Sequence, residues 1–246
     1  MRLFGLIGYP LSHSFSKRYF SEKFQKENIQ DARFENFEIP TIQDFPKVIA
    51  NNPEIKGLNV TIPYKQEIIP FLTRLDKSAE FVGAVNVIKP LPTGDLVGFN
   101  SDYYGFMESL KRFLPADYSQ MKALILGTGG AAKAVEGALK TLGISYLYVS
   151  RQEKEGVVSY EQLGLELLKE YQIIVNTSPV GMYPKIEACP DLRYEALTSH
   201  HYLFDLVYNP EETLFMKKGL EQGAKVKNGL EMLYLQAEKA WEIWNS

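Results

Sequence analysis

The most regular hydrophobic pattern runs over residues 121–132, MKALILGTGGAA, where an unbroken apolar run stops at glycines and small residues follow. A short apolar run bounded by glycine predicts a buried strand, and AAKAVEGALKTL predicts a helix to Leu142. Upstream, residues 2–8 predict a strand, YPLSHSFS a loop, and Ser16 a cap for a helix through about Asn28. Residues 34–39 alternate like a strand, 44–51 suit a short helix, and 57–61 read as another strand. Pro63 is expected to begin the next helix with Lys65 in its first turn, followed by a second short helix over 76–81. Residues 84–89 and 96–99 flank the turn residues PTGD and predict a hairpin, and Asn100, Ser101 and Asp102 start a helix to about Phe113.

Downstream of the glycines, apolar runs predict strands at 146–149, 173–175 and 203–206, with a short edge strand at 225–227. Helices are expected over 161–169, 212–222 and 230–244, and RQEKEGVVS reads as a polar loop in a trimmed half of this domain. The last helix carries Leu233, Ala237 and Trp241 on one stripe, a face expected to pack back on the first domain. Strands alternating with helices predict an α/β fold in which ligands gather at the carboxyl ends of the strands. The expected domains are 1–100, rejoined by 229–246, and 101–228.

The glycine turn sets the chemistry of the second domain. Gly127 permits a tight turn, Gly129 lets backbone approach a pyrophosphate, and the small Ala132 lets the helix pack close to the sheet. A helix N-terminus facing that turn attracts an anion through unpaired N–H groups and its dipole. The alternative is a plain structural strand-turn-helix. Over 246 residues, 45% of them hydrophobic, a sizeable core can form, and a net charge of -3 offers no broad attraction to nucleic acid or an anionic membrane. The single Cys189 excludes an internal disulfide and points to a reducing cytoplasm. No run of eighteen apolar residues and no secretory leader is read, and His13, His200 and His201 lack metal-ligand spacing, so no metal is expected; the adjacent pair reads as surface.

Polar side chains near predicted strand ends supply candidate chemistry, each with a plainer alternative. Ser14 and Ser16 could both donate to one carboxylate, or cap a helix. Asn59, Thr61 and Lys65 end or follow a strand; a lysine there passes a proton to a developing alkoxide, or is simply a solvated charge. Asp102 is its candidate partner, or a first-turn carboxylate of a helix.

In order along the chain stand GYPLSHSFS, GLNVTIPYK, GAVNVI, GFNSDYYG, GTGGAAKA, NTSPVGM, DLVYNPEET and NGLEMLYLQA. Together they resemble the shikimate dehydrogenase family, from Gly5 to about Trp241. The resemblance implies a substrate-binding α/β domain plus a Rossmann domain. It also implies reversible NADP-dependent hydride transfer at C3 of shikimate, interconverting it with 3-dehydroshikimate in aromatic biosynthesis. It implies Lys65 and Asp102 as the catalytic pair, Ser14 and Ser16 at the substrate carboxylate, Thr61, Asn86 and Gln236 with them at the ring hydroxyls, and Tyr208 lining the pocket. For the cofactor it implies Gly127, Thr128, Gly129, Gly130, Ala131, Ser150, Arg151, Lys154, Thr177, Leu206 and Gly229. The partner is a small molecule, and the chain is expected as a monomer or homodimer.

Three departures touch these expectations. Lys17 stands where the family has proline and Ser101 where it has threonine, both sparing the assigned side chains. SRQ at 150–152 replaces NRT, but Arg151 remains, and no acid ends the strand at 146–149 to accept from a ribose 2′-hydroxyl, which favours NADP. Competing readings are a shikimate/quinate dehydrogenase with broader substrate or NAD use, a non-catalytic dinucleotide-binding regulator, and a methylenetetrahydrofolate dehydrogenase-like enzyme.

Overall fold

The computed structural model describes residues 1–11 and 15–246; Ser14, expected at the substrate carboxylate, lies outside them, as does His13. The chain forms two compact units, Met1–Ser101 with Ala237–Ser246, and Asp102–Gln236.

The first unit is built on strands β1 (Arg2–Gly8), β2 (Ala32–Glu38), β3 (Ile55–Val60), β4 (Arg74–Leu75), β5 (Val87–Pro90) and β6 (Leu96–Phe99). They form one mixed sheet in the order β2-β1-β3-β5-β6-β4. Alternation along β1 fills both faces: Leu3 and Ile7 enter a cluster with Leu58 and Ile88, while Phe4 and Leu6 enter another with Phe20 and Phe34. Helices α1 (Phe15–Lys26), α2 (Phe45–Asn51) and α3 (Lys77–Val82) flank the sheet, and α1 is closed by Asn28 in the left-handed region at φ 54. Ser16 therefore lies inside the first turn of α1 instead of capping it.

The helix expected from Pro63 does not form. Residues 62–68 are successive turns, ending in a 3-10 segment at Ile69–Phe71. Pro70 lacks the N–H that would bond back to the Gln66 carbonyl, which accepts from the Ile69 N–H at 3.2 Å instead, so the stretch tightens into a 3-10 segment there. The turns are nonetheless pinned, because Tyr64 is buried and its hydroxyl donates to the Ile39 carbonyl at 2.7 Å.

The second unit contains β7 (Lys122–Leu126), β8 (Ser145–Ser150), β9 (Val157–Ser159), β10 (Ile173–Asn176), β11 (Tyr202–Asp205) and β12 (Lys225–Lys227). All pair in parallel, in the order β12-β11-β10-β7-β8-β9. Counted from β7, this is the doubly wound order 3-2-1-4-5-6, whose switch point lies between β7 and β10. Helices α4 (Ser101–Phe113), α5 (Gly130–Thr141), α6 (Leu165–Glu170) and α7 (Leu214–Glu221) accompany it. The final helix, α8, spans Leu230–Asn245.

Two stretches differ from the sequence expectation. The supposed polar loop contains β9, which starts level with Tyr148, so a reversal through Gly156 at φ 73 suffices to reach it. The histidine pair is not all surface: His201 is 3% exposed. Its Nδ1 accepts from the Thr198 N–H at 3.0 Å, so Nε2 carries the proton and donates to the Leu168 carbonyl at 3.0 Å, closing the end of α6.

Candidate functional site

The turn after β7 is bound tightly to its neighbours. Gly127 takes φ 112, and its N–H donates to the Val149 carbonyl at 2.8 Å. A Cβ there would stand 2.8 Å from the Thr177 hydroxyl, which itself donates to the Leu126 carbonyl. Only glycine meets both demands. Gly129 then caps α5 without any side-chain acceptor, and a Cβ built on Gly129 or Gly130 meets nothing within 4 Å. The first-turn N–H groups of α5 thus open on clear space, a cradle shaped for an anion that a larger residue would fill.

Beside this turn lies a cleft of about 580 Å³ at the carboxyl ends of β7, β8, β9 and β10. Gly127, Thr128, Ser150 and Arg151 line it together, and Tyr160, Glu161, Ser178 and Asp191 complete its charged and polar wall. The last four were not singled out from sequence. Tyr160 and Glu161 follow β9, which itself escaped notice, and Asp191 arrives on the long loop after β10. Ala131 lies in the first turn of α5. Lys154 sits in the exposed turn before β9 and is not among the lining residues. Leu206 and Gly229 meet each other, the glycine standing over the Leu206 carbonyl so closely that any Cβ would collide with it.

The loops after β10 and β11 are tied by a buried network that sequence reading passed over. Asp205 is fully buried; its Oδ1 accepts from Asn176 Nδ2 at 2.9 Å and the Val207 N–H at 3.0 Å, and its Oδ2 from the Thr213 hydroxyl at 2.6 Å. Asn176 Oδ1 in turn accepts from the Ser178 N–H and hydroxyl. Burial pushes the Asp205 carboxyl up to about 6, against the lowering effect of the bonds from Thr213, Val207 and Asn176. The DLVY motif was the available signal.

In the first unit, parallel pairing of β1 with β3 sets Gly8 and Thr61 at one rim, and a Cβ on Gly8 would touch Thr61 Cγ2 at 2.5 Å. The Lys65 carbonyl accepts from the Val85 N–H at 2.7 Å, which fixes the lysine backbone beside Asn86. Asn86 is buried and pairs reciprocally with Ser101, accepting from its N–H at 2.7 Å and donating to its hydroxyl at 3.0 Å. Serine thus keeps the hydroxyl at the position where the family has threonine. Asn59 donates to the Asn86 carbonyl at 3.3 Å, while its own buried Oδ1 has no hydrogen-bond partner among the described residues. A buried acceptor left unpaired costs free energy.

In the second unit, Asp102 occupies the first turn of α4, one turn before Gly105. A Cβ on Gly105 would lie 2.6 Å from the Met232 carbonyl and 2.9 Å from the Gln236 nitrogen, so α4 and α8 cross at backbone distance there. Gly105 is a further missed residue, visible only as the last letter of GFNSDYYG. Gln236 is 7% exposed and donates to the Leu233 carbonyl at 2.9 Å; Tyr208 is 39% exposed on the loop after β11.

Residues 6–88 match the family model of the shikimate dehydrogenase substrate binding domain. A shikimate dehydrogenase (NADP(+)) of Carboxydothermus hydrogenoformans is 37% identical, covering 99% of this chain and 91% of its own. The structure of shikimate 5-dehydrogenase from Thermus thermophilus in complex with NADP(H) and shikimate superposes with TM-score 0.86 at 29% identity, covering 99% of this chain and 93% of that one. The Listeria monocytogenes enzyme in complex with shikimate and NAD gives TM-score 0.88 at 29% identity, over 100% and 92%.

Proposed function

This chain belongs to the shikimate dehydrogenase family, and from that premise we propose that it interconverts 3-dehydroshikimate and shikimate with NADP. The observation that carries the proposal is the open glycine cradle at α5 beside a cleft holding Arg151, which fits a diphosphate and a ribose 2′-phosphate.

Bound nicotinamide supplies or takes up the hydride. The side chains manage charge and position. Lys65 is the proton donor in reduction and the acceptor in oxidation, since an ammonium stabilises oxyanion charge and then neutralises it. Asp102 orients Lys65 and the reacting hydroxyl. Ser14 and Ser16 hold the substrate carboxylate, Thr61, Asn86 and Gln236 hold ring hydroxyls, and Tyr208 lines the pocket. Among the described residues no helix is long and apolar enough to cross a membrane. We place the enzyme in the cytoplasm, in keeping with its single cysteine, as a monomer or homodimer.

Following the absorbance of reduced nicotinamide with shikimate and NADP+, then with quinate and NAD+ exchanged in, tests substrate and cofactor together. Lys65→Ala should lower kcat about 10²- to 10⁴-fold with little change in KM. An unaltered kcat removes Lys65 from the chemistry.

A further inference from the structure

The strand-2 position of a doubly wound domain is where an NAD enzyme places its ribose acceptor, and here β8 ends at Ser150 and is followed by Arg151 and Gln152, with no acid. The structure nevertheless brings carboxylates to the same place from elsewhere. Parallel register sets Ser159 of β9 level with Ser150 of β8, so Tyr160 and Glu161 leave the sheet beside Arg151. Asp191 reaches the cleft from the loop after β10, and all four residues line one space. Tyr160 reports the juxtaposition: its hydroxyl is pushed up to about 12, first by burial and then by the charge of Asp191, while Arg151 pulls it down.

We propose that Glu161 and Asp191 set cofactor specificity, opposing Arg151 so that the cleft accepts NAD as well as NADP. The proposal rests on reading the cleft as the dinucleotide site. A ribose 2′-phosphate carries close to two negative charges and is attracted by one guanidinium but repelled by both carboxylates. A free 2′-hydroxyl meets no such repulsion and can donate to a carboxylate oxygen. The pair therefore narrows the preference that Arg151 alone would create, which is discrimination by repulsion of one ligand and not by loss of contact with the other. Both carboxylates are exposed, so the effect is screened by salt.

Calorimetric titration of NADP+ and NAD+ into the full-length protein, Glu161→Gln, Asp191→Asn and the double variant, at matched low ionic strength, tests this. Each carboxamide is expected to tighten NADP+ about three- to tenfold, with NAD+ unchanged or weaker, and the gain should shrink in high salt. A double variant whose NADP+ to NAD+ preference equals that of the unsubstituted protein overturns the specificity role while leaving the dinucleotide site standing. Failure of the unsubstituted protein to bind either dinucleotide overturns that underlying reading, and the specificity role with it.

Discussion

Arg151 and Asp205 show how far one side chain can be understood from its surroundings. Arg151 was legible in the sequence because it follows a recognisable strand directly. A hydrogen bond to a charged group contributes roughly 1.5–3 kcal/mol, so Arg151→Ala should weaken NADP+ about ten- to a hundredfold and leave NAD+ nearly unaffected. Dissociation constants for both, at one ionic strength, decide it; an unchanged ratio assigns the phosphate to other groups. Asp205 was not legible as a site, since its burial depends on two loops meeting. Its carboxyl is raised from 3.8 to about 6. Between those values the folded state binds the proton more tightly than the unfolded state, so Asp205 favours folding at acid pH and that contribution is lost as pH rises through 6. Asp205→Asn should therefore gain stability relative to the unsubstituted protein between about pH 4 and 7, by about 1–3 kcal/mol. Denaturant titrations across that range would show a flat difference if burial did not strain the carboxylate.

Among the elements, strands and helices with strong periodicity formed close to where the sequence placed them, and exceptions have physical causes. The turns at 62–68 carry helix-like residues, but Pro70 denies them a donor for the next turn of the ladder. Short β9 was hidden because an extended triplet with polar neighbours becomes a strand only when a partner, here β8, supplies the other half of the bonds. The crossing of α4 and α8 is equally a product of assembly. Gly105→Ala would drive a methyl against the Met232 carbonyl and the Gln236 backbone, and overpacking of this kind costs about 1–3 kcal/mol. Because Asp102 and Gln236 flank the crossing, KM for shikimate should rise along with the fall in Tm. A variant with unchanged Tm and KM would mean that the helices yield without disturbing either side chain.

Over the whole molecule, the chain returns to its beginning. Ala237, Ala240 and Trp244 complete a core that starts with Phe4, Phe20 and Phe34, and the Trp244 indole donates to the Ile88 carbonyl at 3.2 Å over Gly57, which leaves room for the ring. The buried stripe runs through Ala237, Ala240 and Trp244, with Leu233 only half-buried. Removing residues 237–246 deletes a large buried aromatic whose loss alone costs about 3–5 kcal/mol. Amide exchange on that truncation should show β1 and β3 losing protection while β7 and β10 keep theirs; equal loss in both units would mean that they unfold as one. Periodicity, glycine placement and motif order were enough to establish the α/β class, the glycine turn after a buried strand and the family, because each is written in runs of consecutive residues. The burial of His201 and Asp205 and the meeting of Glu161 and Asp191 with Arg151 came from folding alone. Strand register and loop path bring distant residues side by side, and no local sequence pattern encodes that proximity.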